Sequence, residues 1–153
     1  MRLSPPFAAV WLLFGMGSPL AAQGPSDAGP AGGKLTLTVE ITGFRSDAGY
    51  AAAAIYRTKE SYLKKPEVTR TAKIVGGRAI LVFEAIEPGT LVVNGFHDEN
   101  ENGTLDTNWL GMPKEGTGVS RDAKGRMGPP KFDDARLELS AGTESISFKL
   151  VYL

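Results

Sequence analysis

The sequence predicts an all-β protein: a seven-stranded antiparallel β-sandwich, immunoglobulin-like or transthyretin-like, with one long metal-ordered loop. Three observations predict it. Apolar residues recur with period two in short runs, turn residues separate the runs, and no strand–helix–strand rhythm or internal repeat is present.

The elements follow in chain order. Leu35, Leu37, Val39 and Ile41 alternate with Thr36, Thr38, Glu40 and Thr42, as in a half-buried strand, and Gly43 ends the run. Tyr50 to Tyr56 is a second strand, rich in alanine, whose small side chains let a neighbouring segment approach closely. Lys59 to Lys64 can form one helical turn before Pro66. Val68 to Val75 is a weaker third strand, and Gly76-Gly77 is a hairpin signal. Ala79 to Ile86, more continuously apolar, reads as a central fourth strand. Pro88-Gly89 turns the chain into a fifth strand, Thr90 to Phe96. Leu137 and Leu139 mark a sixth. Ile146, Phe148, Leu150 and Tyr152 mark a seventh, alternating with Ser147, Lys149 and Val151.

The ends and the composition bound the rest. Residues 1–22 read as a secretory signal peptide: Arg2, then an apolar run from Phe7 to Met16, then Leu20-Ala21-Ala22. The apolar run is about ten residues, too short to span a bilayer, so no membrane span is expected after cleavage. Residues 23–33, rich in Gly, Pro, Ala and Ser, read as a flexible linker, leaving 34–153 as a single domain. The export signal places the protein in the periplasm or outside the cell. Loss of Arg2 leaves 16 Lys and Arg against 17 Asp and Glu, which offers no basic face for nucleic acid. The absence of cysteine excludes disulfides, thiolate metal sites, cysteine nucleophiles and a lipoprotein anchor.

Between His97 and Asp134 the apolar periodicity stops for about 38 residues, a length uncommon in compact domains unless the loop is functional or disordered. Its first part is Asp98-Glu99-Asn100-Glu101-Asn102-Gly103-Thr104-Leu105-Asp106. Calcium takes six to eight oxygens, and a twelve-residue calcium loop supplies them from positions 1, 3, 5, 7 and 9, with Gly at 6 and Glu at 12. With Asp98 as position 1, Asn100, Asn102 and Asp106 fall at 3, 5 and 9, Gly103 at 6, and the carbonyl of Thr104 at 7. Position 12 is Trp109 rather than Glu, and the loop follows a strand, so this is not an EF-hand. Asn108 or Glu115 can supply the missing oxygen. The candidate metal residues are therefore Asp98, Asn100, Asn102, Thr104, Asp106 and Glu115, with calcium as the cofactor. Two charged ligands predict modest affinity, suited to extracellular calcium. Asn102-Gly103 also fits a bare type I′ turn among solvated acids, and Asn102-Gly103-Thr104 fits a glycosylation sequon.

Other chemistry is sparse. His97, the single histidine, suits a structural role at a strand end better than a zinc site. No Gly-x-Ser-x-Gly elbow and no phosphate loop is present, and no catalytic residue is assigned. Trp109, Met112 and Phe132 give the long loop an apolar side, read as pinning it to the sandwich.

The run from His97 to Asn108, then Leu110-Gly111-Met112-Pro113-Lys114-Glu115-Gly116, Val119-Ser120 and Gly128-Pro129-Pro130-Lys131-Phe132-Asp133-Asp134-Ala135, resembles the signature of the DUF2141 family. The resemblance covers the domain from about Lys34. It implies a small exported bacterial protein of unknown function and carries over no catalytic residue. Val119 stands where an aromatic is commoner in that family. The Asp-x-Asn-x-Asn-Gly loop is also similar, locally, to those of calcium-binding repeats in bacterial surface adhesins.

The functional expectation is an exported, non-enzymatic module with a structural calcium-type loop and an unknown protein or glycan partner in the envelope. Two alternatives stand beside it: an enzyme using His97 and the adjacent carboxylates, and an envelope assembly protein docking through a sheet edge.

Overall fold

The computed structural model describes residues 32–153. The expected signal peptide and all but the end of the expected linker lie outside the described residues. Eight strands form: β1 (Leu35–Thr42), β2 (Tyr50–Tyr56), β3 (Val68–Lys73), β4 (Arg78–Ile86), β5 (Gly89–Asp98), β6 (Thr117–Val119), β7 (Leu137–Leu139) and β8 (Gly142–Lys149). A 3-10 turn, η1 (Ser120–Asp122), and one helical turn, α1 (Phe132–Ala135), complete the set. No helix among the described residues is long and apolar enough to cross a membrane.

One sheet runs β4-β1-β8 and the other β3-β2-β5-β6, with β7 pairing the first half of β5. The inner faces share one core. Leu35, Leu37, Val39 and Ile41 of β1, Leu81 and Phe83 of β4, and Phe148 of β8 meet Ala51, Ala53 and Ile55 of β2 and Leu91 and Val93 of β5. The alanines of β2 and Gly95 of β5 set the sheet separation. A Cβ at Gly95 would stand 2.7 Å from Ile41 Cδ1 and 3.0 Å from the Phe148 ring.

Several expectations are corrected. The strands are not all antiparallel: β1 and β8 pair in parallel over Leu35–Thr42 and Gly142–Lys149. Period two reports which face is buried, not the direction of the partner, so the alternation in these strands was compatible with either pairing. The strand missing from the expected seven is β6, three residues containing Gly118 and too short for an alternation to show. The last strand ends at Lys149 rather than Tyr152. Beyond it Val151 exchanges two backbone hydrogen bonds with Thr117, at 2.8 and 2.9 Å. The fourth strand lies at a sheet edge rather than at its centre, leaving Ile80 54% exposed on the outer face.

The Gly76-Gly77 turn forms as expected, with φ of 61° and 73°. Asp47 caps it: each carboxylate oxygen accepts one glycine N–H at 2.7 Å, and these bonds lower the Asp47 pKa. The turn at Lys59–Lys64 also forms, with i to i−4 bonds from Tyr62 to Thr58 and from Lys65 to Ser61.

The return half of the long connection packs on the outer face of β5. Phe132 and Ala135 are buried against Val92 and Val119, with Tyr62 beside them. Ser120 ties η1 down, accepting the Val93 N–H and donating to the Ala135 carbonyl. Phe132 thus pins the loop as expected. Trp109 does not: it is 90% exposed, and Leu110 and Met112 beside it are exposed too. The reason is local. Asn108 gathers the tip, its side-chain oxygen accepting the N–H groups of Leu110 and Met112 and its carbonyl that of Gly111. A turn closed on itself in this way points its side chains outward.

Candidate functional site

The inner face of β5 carries His97 into the end of the core, and the outer face then presents Asp98. His97 is fully buried, its ring edge-on to Phe44 at 5.1 Å between centroids. Nε2 lies 2.7 Å from the Ala48 carbonyl, which only accepts, so Nε2 carries a proton. Nδ1 lies 2.7 Å from Tyr152 Oη, which also accepts the Arg45 N–H at 3.1 Å. Nε2–H therefore donates to Ala48, and Nδ1 pairs with the Tyr152 hydroxyl. Both ring nitrogens are engaged inside the protein. A base for an outside substrate needs a free nitrogen facing solvent, so this geometry favours the structural role read for His97.

The acidic loop begins one residue later. Asp98 is buried, and its two oxygens accept the N–H groups of Asn102 (3.0 Å) and Gly103 (2.9 Å). Asn100 Oδ1 accepts the same Asn102 N–H at 3.2 Å, and Asn102 Oδ1 accepts the Thr104 N–H at 2.9 Å and its hydroxyl at 3.1 Å. Side-chain oxygens at alternate positions therefore all turn into the loop. Gly103, at φ 76°, makes the bend that side-chain-bearing residues resist. The amide nitrogens of Asn100 and Asn102 both donate to Asp106, at 2.6 and 3.0 Å. Asp98, Asn100, Asn102, Thr104 and Asp106 are thus brought together.

Glu115 enters differently. It is buried, and its two oxygens accept the N–H groups of Glu99 (3.0 Å) and Asp106 (3.1 Å). It latches both ends of the loop through the backbone. Among the described residues no three His, Asp or Glu side chains form a metal cluster. What gathers around Asp106 is amide rather than carboxylate. Asn108, the alternative donor, spends its side-chain oxygen on the Trp109 turn.

A second support was not legible in the sequence. The loop after β1 docks on the acidic loop: Arg45 pairs with Glu99 through Nε (2.9 Å) and Nη2, and Ser46 Oγ donates at 3.2 Å. Gly49, at φ 70°, lies against the Asp98 carbonyl so closely that a Cβ would overlap it. These partners stand about fifty residues apart in the chain, and no local pattern links them. The Arg45 hydrogen bond, with help from Ser46 and the nearby positive charge, pulls the Glu99 carboxyl down to about 2 from 4.5.

Glu99 therefore predicts an acid-sensitive brace. Its folded pKa lies below its unfolded value, so the contribution is complete above about pH 4.5 and fades as pH falls toward 2. Denaturant unfolding between about pH 5 and pH 2.5 should show wild type losing more stability than Glu99→Gln, which has no carboxyl there to protonate. Parallel pH profiles would remove Glu99 from this role.

Two sheets sharing one core, with a long oxygen-rich loop latched at one end, define a small β module. The chain belongs to the family described as an uncharacterized protein conserved in bacteria (DUF2141), which it matches over residues 39–147. No curated protein and no solved structure matches it.

Proposed function

We propose that this is an exported, non-enzymatic β-sandwich module of the immunoglobulin-like or transthyretin-like kind, whose long loop is ordered by a structural calcium ion in the periplasm or outside the cell. The observation that supports the calcium reading is the ladder of inward-turned side-chain oxygens at Asp98, Asn100 and Asn102, closed by Asp106. The two Asp98 oxygens and Asn100 Oδ1 each accept one backbone N–H and keep a lone pair, while Asn102 Oδ1 holds the Thr104 hydroxyl as well as its N–H, so an ion there would take the place of that hydroxyl. Asp98, Asn100, Asn102, the Thr104 carbonyl and Asp106 would form the shell, and Glu115 has lone pairs left to join it. The projecting Trp109–Leu110 turn is the surface for a protein or glycan partner.

Thermal unfolding in calcium and in EDTA tests the site. A ligand that binds only the folded state at a hundredfold excess over its dissociation constant adds about 3 kcal/mol. The midpoint should rise with calcium and return in EDTA. An unchanged midpoint at millimolar calcium sinks the site.

A further inference from the structure

We propose a second site, independent of the calcium loop: the basic loop between η1 and α1 binds a phosphate-bearing ligand. In this chain of balanced charge, residues 121–131 hold Arg121, Lys124, Arg126 and Lys131 against the single acid Asp122. Lys124, Arg126 and Lys131 line one open cavity of about 450 Å³, with Asp134 on its wall. The ion pairs nearby are made by Asp133, with Lys59 and Arg136. Among the described residues, none of the three cavity cations, nor Asp134, makes an ion pair. Three cations against the one carboxylate of Asp134 leave the cavity wall net positive, a field that favours a bound anion.

The loop is held in place rather than left to wander. At its entrance Arg121 and Asp122 both adopt left-handed backbone, with φ of 64° and 50°, which residues bearing a Cβ rarely adopt. The surroundings hold them there: Ser120 is buried and doubly bonded, and Asp122 Oδ1 accepts the Lys149 N–H at 2.8 Å. Strain of this kind persists where structure imposes it, and it collects at functional sites. In the middle, Gly125 lies so close to the Gly128 carbonyl that any Cβ would overlap it. At the exit Phe132 is buried. The cations are therefore mounted on a loop fixed at both ends and folded back on itself.

The chemistry selects the ligand class. Several cations around one space suit a multiply charged anion with several oxygens, and the planar fork of Arg126 matches phosphate in particular. The cavity exceeds a bare phosphate and falls in the range of small-molecule sites, while Asp134 can accept a hydroxyl from whatever carries the phosphate. Met127, fully exposed at the tip, adds an apolar contact. A soluble phosphorylated compound and a phospholipid headgroup share this chemistry.

The test uses two probes on the folded protein at low salt: pyrophosphate by titration calorimetry, and sedimentation with phosphatidylglycerol vesicles against phosphatidylcholine vesicles. The variant is Lys124→Gln/Arg126→Gln/Lys131→Gln, whose exposed positions leave the fold intact, as an unchanged melting curve verifies. Saturable pyrophosphate binding, weakened on the order of tenfold in the variant and by added salt, supports a soluble ligand. Binding to the anionic vesicles alone, lost in the variant, supports a headgroup. Binding of neither probe, or equal binding by the variant, overturns the proposal.

Discussion

Replacing His97 by alanine is expected to lower stability by about 4 kcal/mol, a large share of what a domain of this size possesses. Two losses combine. The ring is fully buried against Phe44, and removing it opens a cavity in a region closed by Tyr152 and the loop after β1. Cavity-forming losses of large core side chains cost about 3–5 kcal/mol. The Ala48 carbonyl and the Tyr152 hydroxyl also lose their partners at 2.7 Å, and a buried polar group left alone costs about 1–3 kcal/mol unless water reaches it. Urea unfolding measures the sum. His97→Phe separates the parts, because it fills most of the space and makes neither hydrogen bond. It should retain roughly half of the loss. A wild-type midpoint for His97→Ala would mean that the network does not hold the ends of β1 and β5 together.

The same residue shows how much of the fold was legible. Its place at a strand end and its structural role could be read from the sequence, since a lone histidine between an alternating run and an acidic loop has few other uses. Its partners could not. Ala48 and Tyr152 lie 49 and 55 residues away, and no periodicity couples them. Six of the eight strands announce themselves through alternation or a flanking glycine turn that approximates their limits. A seventh, β8, was found with its limits shifted, and β6 escaped because three residues carry no period. The parallel pairing of β1 with β8 escaped because burial pattern is blind to partner direction. Trp109 was misplaced for a related reason: apolar character argues for burial, but the hydrogen bonds to Asn108 fix a turn whose side chains project. In the acidic loop the spacing of Asp98, Asn100, Asn102 and Asp106 was enough, since alternate positions around a glycine bend converge whatever lies beyond them.

Glu115 is where spacing and structure diverge most usefully, and Glu115→Ala is expected to cost about 3 kcal/mol with or without calcium. Its position fits a ligand completing a shell, yet both of its oxygens hold backbone N–H groups, of Glu99 at one end of the loop and Asp106 at the other. Hydrogen bonds to a charged acceptor are worth about 1.5–3 kcal/mol each, and both are lost together. Hydrogen exchange of the Glu99 and Asp106 amides should accelerate first, because the variant frees those two donors before it disturbs the core. Glu115→Gln discriminates between latch and ligand. It keeps one acceptor and sets an N–H2 against the other N–H, so a latch loses stability even in EDTA. If Glu115 also meets the ion, the added stability from calcium shrinks as well. Wild-type stability of Glu115→Gln in EDTA would show that the loop is closed by other means. A loss confined to calcium would leave Glu115 as a ligand alone. The latch predicts a full effect even without the ion, because those two bonds exist in the protein's own geometry and need nothing added to form.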